Sequence, residues 1–278
     1  MKILHDLFSL ADHTAIVAGG AGAIGSAMSA TLLGAGAKVI VWSRSERSLA
    51  EARRKLMRYA DTSEAQTDVS DRIYTCQVDT ADERAVAEAL TRSQHEAGAA
   101  DILINAVGGN MGKADFIDTD LDQFSKIVAS NLMAGLVVPT KVVAADWIEK
   151  GIQGSIINLT SMASYTPLSG VWAYDAAKAA VLNLTRATAK EFAAHGIRVN
   201  AIAPGFFVGK QNRALLIDEK SGDLTPRGRA IIARTPWGRF GDIDELAGVT
   251  LFLASARASG FVTGVSIPVD GGYLVDNI

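Results

Sequence analysis

Thr14-Ala15-Ile16-Val17-Ala18-Gly19-Gly20-Ala21-Gly22-Ala23-Ile24-Gly25 is the stretch that decides the fold. An apolar run of strand length, residues 14–18, leads straight into a glycine-rich turn, and residues 23–34 then follow helical period. Glycine permits a tight turn and lets the backbone approach a pyrophosphate, whose charge the following helix N-terminus favours. Gly20, Gly22 and Gly25 fit G-x-G-x-x-G. That pattern is weak alone, because turns are commonly glycine-rich, but between a strand and a helix it reads as a dinucleotide site.

Outward from this turn, short apolar runs alternate with amphipathic stretches. Strands are expected at 38–42, 73–78, 102–105, 155–159, 198–203 and 265–269. Helices are expected at 47–59, where Ser48 and Glu51 suggest a capping box, at 82–97, around 121–150, at the stretch carrying Tyr174, and near 244–254. Such alternation predicts an α/β fold: a Rossmann-type, doubly wound parallel sheet of about seven strands with helices on both faces. No repeat, low-complexity tract or linker divides residues 1–278, so one domain is expected. The long segment 206–228 reads as a substrate loop or lid.

The end of the second strand bears on which dinucleotide is held. An NAD site usually offers an acid there, and an NADP site arginine. Ser43 and Arg44 occupy the place, so NADP(H) is preferred; Glu46 keeps NAD(H) open.

Chemistry is concentrated in Ser161 to Lys178, SMASYTPLSGVWAYDAAK. Tyr174 and Lys178 are four apart and share a helix face, with Cβ atoms roughly 5–6 Å from each other. A phenol with a pKa of about 10 is a poor base at neutral pH. An ammonium at that range favours the phenolate by roughly 3 kcal/mol at an effective dielectric of about 20, or about two pKa units. Ser161, at the end of the apolar run 155–159, places a hydroxyl where it can bond the same reacting oxygen. A tyrosine four residues before a lysine is common in helices; the strand, the serine and the glycine turn give it meaning.

Bulk properties exclude several functions. The formal charge of −3 and the lack of a Lys/Arg-rich run argue against nucleic acid. Cys76 is the only cysteine, so no intramolecular disulfide forms. Residues 1–14 lack the pattern of a secretory signal, and no uninterrupted apolar run suggests a membrane span, so a cytoplasmic protein is expected. His5, His13, His95 and His195 are scattered, and no metal site is expected.

Over Thr14 to Gly272 the chain resembles the short-chain dehydrogenase/reductases, whose first turn reads TGxxxGxG. Here Ala18 replaces the threonine and Ala23 the middle glycine. The resemblance implies cofactor contacts from Gly19, Gly22, Ala23, Ile24 and Gly25, and from Ser43 and Arg44. It matches Asp79 to an adenine-contacting acid, although a helix N-cap is an equal reading. Asn105-Ala106-Val107-Gly108 stands for NNAG, which implies cofactor contacts from Asn105 and Gly108. Asn131 corresponds to the asparagine supporting a proton-relay water, and Ser161, Tyr174 and Lys178 to the catalytic residues. Tyr174 and Lys178 also meet the cofactor. Pro204 and Gly205 match the PG motif near the nicotinamide, with Val208 as a backbone contact. The family further implies homotetramers or homodimers.

Within that family, Gly108-Gly109-Asn110, Gln211-Asn212-Arg213, residues 224–228 and residues 235–241 look like the sugar-acid branch of D-mannonate oxidoreductases, or fructuronate reductases. A uronate pocket needs a cation and amides. Asn110, Lys113, Gln211, Asn212 and Arg213 are of the right types, with Asn110 and Arg213 favoured alongside Ser161 as substrate contacts. The partner is then a small keto-acid or hydroxy-acid. Other keto-substrates stay open: a 5-keto-gluconate, a deoxy-hexulosuronate or a 3-oxoacyl thioester. So does a dinucleotide-sensing protein without turnover, although a sensor has no need of a proton donor.

Overall fold

In the first strand, β1 (Thr14–Ala18), Ala15 and Val17 enter one hydrophobic core while Ile16 and Ala18 enter another. A strand apolar on both faces must lie inside a sheet covered on both sides. The computed structural model, which describes residues 2–61, 69–209, 213–219 and 221–276, has that arrangement. The other strands are β2 (Lys38–Ser43), β3 (Ile73–Gln77), β4 (Ile102–Asn105), β5 (Ser155–Leu159), β6 (Arg198–Pro204) and β7 (Ser266–Val269). They form one sheet in the order β3-β2-β1-β4-β5-β6-β7, and every pairing is parallel.

Helices α1 (Lys2–Phe8), α2 (Ala23–Gly34), α3 (Glu46–Asp61), α4 (Glu83–Ala97), α5 (Leu121–Val128), α6 (Val138–Lys150), α7 (Trp172–Phe192), α8 (Arg213–Leu216), α9 (Pro226–Ala233), α10 (Ala247–Ala254) and α11 (Ala256–Ser259) surround it. Leu32, Leu56 and Leu253 bring α2, α3 and α10 onto one face; Val86, Trp147 and Ala189 bring α4, α6 and α7 onto the other. The order reverses between β1 and β4, where Ala18 stands beside Asn105. An open α/β sheet has its ligand crevice outside the carboxyl ends at such a point.

Several expectations need correction. Helix α3 begins at Glu46, so Ser48 lies inside it and cannot cap; the Ser45 hydroxyl accepts from the Ser48 amide at 3.3 Å, and Glu51 pairs with Arg47. The helix expected from 244 is a 3-10 turn, Ile243–Leu246, boxed by Asp242 and Glu245, before α10 proper. Helix α1 was not expected from the sequence; its Leu7 carbonyl accepts from the Ser255 hydroxyl at 2.6 Å.

The helix expected around 121–150 is present, but residues Ala129–Val137 are wound as a π-helix between α5 and α6. By length and composition Leu121–Lys150 could cross a membrane, yet 56% of its most apolar window is buried inside the protein. Trp147, fully buried beneath Gly154, shows why: this is a core helix.

Candidate active site

Two backbone constraints build the crevice. Gly19, at φ +78°, leaves no room for a side chain, because a Cβ there would lie 2.7 Å from the Ala106 carbonyl group. The turn after β1 is therefore pressed against the turn after β4. A Cβ on Gly25 would meet the Gly19 carbonyl oxygen at 2.4 Å, which seats the first turn of α2 on the same loop. Gly22 caps α2 without any side-chain bond, leaving its N-terminal amides open. A turn this bare, facing a helix N-terminus at the switch point, fits the pyrophosphate of a dinucleotide.

Beside it the wide turn of the π-helix sets Asn131 against residues 108 and 109. The Asn131 amide nitrogen donates to the carbonyls of Gly109, at 2.7 Å, and Ile127, at 2.9 Å, while its oxygen accepts from the Gly109 amide at 2.9 Å. Gly108 has φ +148°, and a Cβ there would lie 2.4 Å from the Asn131 oxygen and 3.5 Å from the Lys178 Nζ. Gly135 lets the same helix approach the Val107 carbonyl, which a Cβ would meet at 2.7 Å. A π-turn exposes its own carbonyls and often marks a functional position.

On the other side stand the three residues singled out in Ser161 to Lys178. Ser161, buried just past β5, caps the 3-10 turn Met162–Ser164, and its hydroxyl acts on the Tyr174 phenol to lower its pKa. Ser164 donates to the Lys178 carbonyl at 2.7 Å, tying that turn to α7. The Lys178 Nζ is 5.8 Å from the centre of the Tyr174 ring and donates to the Leu159 carbonyl at 2.7 Å.

The electrostatics depart from expectation. Burial pushes the Tyr174 phenol above the ordinary tyrosine range; the Ser161 hydroxyl opposes the rise and the Asp175 carboxylate adds to it. Lys178 was expected to hold the phenol down. Burial instead lowers Lys178 itself to about 8, since water is kept from both groups. At pH 7 the amine still carries its proton by roughly ten to one. The pair is a protonated phenol beside a weakly held ammonium.

Other expected residues fall as follows. The Asn105 side-chain nitrogen turns into the sheet, donating to the Thr140 hydroxyl and the Asn158 side-chain oxygen, both at 2.9 Å, while its own amide oxygen is buried without a partner among the described residues. Ser43 ends β2, and Arg44 after it is exposed. Asp79 is exposed and accepts from the Ala81 amide at 3.0 Å; Asp82, not Asp79, caps α4. Pro204 ends β6, Gly205 packs where a Cβ would meet the Asp270 Cα at 2.6 Å, and Val208 is half-buried. The Asn110 amide folds back to the Gly112 carbonyl at 2.8 Å, and Arg213 is exposed at the start of α8. Gln211 and Asn212 lie outside the described residues.

A cavity of about 450 Å³ opens at the ends of β6 and β7, lined by Phe206, Trp237, Arg239 and Asp270 among others. It contains none of Ser161, Tyr174 and Lys178, so the hydroxyl pair and not the size of a void marks the centre. The sequence reading missed Asn158 and Thr185, whose 3.0 Å bond continues the buried chain from Asn105. A polar residue inside the apolar run 155–159 was the available signal. It also missed Asp175, whose carboxylate accepts from the Leu168 amide at 3.3 Å and orders the loop before α7.

Residues 19–274 match the family model described as enoyl-(acyl carrier protein) reductase. The chain belongs to the short-chain dehydrogenase/reductase family. It is accordingly an oxidoreductase acting on CH–OH groups. The uncharacterized oxidoreductase UxuB of Bacillus subtilis (strain 168) is 38% identical to this short-chain dehydrogenase/reductase over 98% of this chain and 97% of its own. A gluconate 5-dehydrogenase from Burkholderia cenocepacia J2315, solved in complex with NADP and tartrate, is 32% identical with a TM-score of 0.84, covering 99% of this chain and 100% of its own. A candidate D-mannonate oxidoreductase from Haemophilus influenza, solved with bound NAD, is 32% identical with a TM-score of 0.86, covering 99% of both chains.

Proposed function

We propose that this short-chain dehydrogenase/reductase interconverts a keto group and a secondary alcohol on a sugar acid of the fructuronate and mannonate type, with NADP(H) preferred over NAD(H). The observation that carries the reading is the Ser161 hydroxyl acting on the Tyr174 phenol, with the Lys178 ammonium 5.8 Å from the centre of the phenol ring. A bound nicotinamide supplies or accepts the hydride. Gly19, Gly22, Ala23, Ile24 and Gly25 would hold its pyrophosphate, Arg44 and Ser43 the adenosine end, and Gly108, Pro204, Gly205 and Val208 would border the nicotinamide. Solved relatives bound to NADP and to NAD support both nucleotides, and the exposed Arg44 supports the first.

In this reading Ser161 and Tyr174 both donate to the substrate carbonyl oxygen. A phenol held above its ordinary pKa arrives protonated at pH 7, as a proton donor for reduction requires. As the phenolate forms, the ammonium 5.8 Å from the ring stabilises it by about 3 kcal/mol at an effective dielectric of about 20. Asn131 acts by position: its amide grips Gly109, fixing the wall against which Lys178 stands. The exposed Ala176 and Ala179 on α7 support a close contact with a second subunit, as a homodimer or homotetramer.

Tyr174→Phe tests the assignment. Its turnover of D-fructuronate with reduced nicotinamide should fall by about 10²–10⁴-fold, with cofactor binding nearly intact. Retained turnover with lost cofactor binding would refute it.

A further inference from the structure

One hydroxyl joins the turn after β5 to the interior of α7. Ser164, half-buried at the end of the 3-10 turn Met162–Ser164, stands between Ser161 and Lys178. Its oxygen accepts from the Ser161 amide at 3.2 Å, and its single hydroxyl hydrogen goes to the Lys178 carbonyl at 2.7 Å, 14 positions further on. The Ser164 amide also returns to the Ser161 carbonyl at 2.9 Å. A capping box is complete with the bond to the Ser161 amide; the bond to Lys178 reaches into another element.

The same short segment grips Lys178 twice. Its Nζ donates to the Leu159 carbonyl at 2.7 Å and its own carbonyl accepts from Ser164, so both ends of the residue are pinned to residues 159–164. Ser161 is oriented from the same place: its oxygen accepts from the Ala163 amide at 3.2 Å, which leaves the hydroxyl hydrogen for a reacting oxygen. Both Ser161 and Lys178 are buried, so little water is at hand to replace a lost bond. Tyr174 lies one turn before Lys178 on α7, and fixing Lys178 against the serine turn therefore fixes the phenol against the serine. Two groups that serve one oxygen must each come within about 2.6–3.2 Å of it.

We propose that Ser164 is a positioning residue: its hydroxyl sets the distance between Ser161 and the Tyr174–Lys178 turn of α7, and so aligns the two donors on the reacting oxygen. The inference rests on the roles given to Ser161, Tyr174 and Lys178 in the function proposed above. Ser164 acts only through the residues it holds. A misplacement of about 1 Å in such a site costs about 100-fold in rate. The dinucleotide turn is built elsewhere, with Gly19 pressed on the Ala106 carbonyl and Gly25 on the Gly19 carbonyl, so cofactor binding does not depend on this hydroxyl.

The test uses the full-length protein with NADPH and three ketones: D-fructuronate, 5-keto-D-gluconate and acetoacetyl-coenzyme A. Ser164→Ala removes both bonds, Ser164→Cys fills the same space with a poor hydrogen-bonding group, and Ser164→Thr keeps the hydroxyl. On whichever ketone the wild type accepts, the Ala and Cys variants should lose about 10–100-fold in kcat, with KM and the NADPH Kd within about threefold; Ser164→Thr should recover most of the loss. The double variant Ser161→Ala/Ser164→Ala should lose far less than the product of the two single losses, because the second change misplaces a group already gone. Wild-type kcat in both the Ala and Cys variants, a loss that Ser164→Thr does not recover, or fully multiplicative losses overturns the inference. So does a parallel loss of NADPH binding and rise in KM, the pattern of a merely structural serine. A wild type that reduces acetoacetyl-coenzyme A and neither sugar acid, with the Ser164 variants behaving as expected on it, upholds the inference and overturns the sugar-acid reading alone.

Discussion

Lys178→Met separates stability from chemistry. The amine is fully buried and its pKa falls from 10.5 to about 8, so below pH 8 its proton is held more weakly in the folded chain than in the unfolded one. Two and a half units correspond to about 3.4 kcal/mol of destabilisation while both states are protonated. Losing the bond to the Leu159 carbonyl, 2.7 Å long, removes about 1–2 kcal/mol in the other direction. Methionine fills a similar volume without a charge, so the variant should be about 1–2 kcal/mol more stable than wild type at pH 7.

The pH dependence gives an independent check with its own sign. Because the folded pKa is depressed, the wild type has its full relative stability only above 10.5 and loses it as pH falls towards 8. Between pH 7 and pH 9 the wild type should gain about 1.3 kcal/mol from this group, and the variant none. Urea unfolding followed by tryptophan fluorescence at the two pH values measures both quantities, and turnover should be lost throughout. A variant less stable than wild type at pH 7, or one keeping the wild-type rise to pH 9, would refute the buried-ammonium argument.

Three further outcomes follow from the same geometry. Gly108→Ala puts a Cβ 2.4 Å from the Asn131 oxygen at a φ of +148°; it should lower stability by about 1–3 kcal/mol in urea unfolding and weaken turnover, and a neutral effect would mean the Asn131 clamp is not rigid. His13 bonds Asp101 at 2.5 Å, and that bond raises its pKa against the opposing effect of burial. The pair stabilises the chain fully below the free histidine pKa of 6.5 and loses that contribution as pH rises through the folded value. His13→Gln should therefore flatten the fall in melting temperature above pH 6.5, and an unchanged profile would remove the pair from the account. Arg44→Ala should raise the Kd for NADPH by about tenfold and leave that for NADH nearly unaltered; equal effects on both would show that Arg44 does not read the 2′-phosphate.

Much of the candidate site's placement was legible because it depends on local spacing. The glycine turn after β1, the serine two residues past β5 and the four-residue step from Tyr174 to Lys178 are each fixed by a few consecutive residues on or beside a strand or helix of plain period. Apolar runs at 14–18, 102–105 and 155–159 became strands with those bounds, since residues buried on both faces leave no other element open to them. Helix ends were read less well: the cap of α3 moved from Ser48 to Ser45, because either serine satisfies the local pattern and only packing chooses.

What the sequence determined by itself was the sheet, the glycine-rich turn after β1 and the spacing of a candidate phenol, amine and hydroxyl, all of which follow from periodicity and steric allowance. Tertiary structure alone decided that Asn105 faces inward, that a π-turn hands Asn131 to Gly109, and that burial raises Tyr174 despite its lysine. Each of these depends on what lies across the chain, on how far water is excluded and on which distant element supplies the partner. Those are properties of the packed molecule, and no local spacing encodes them.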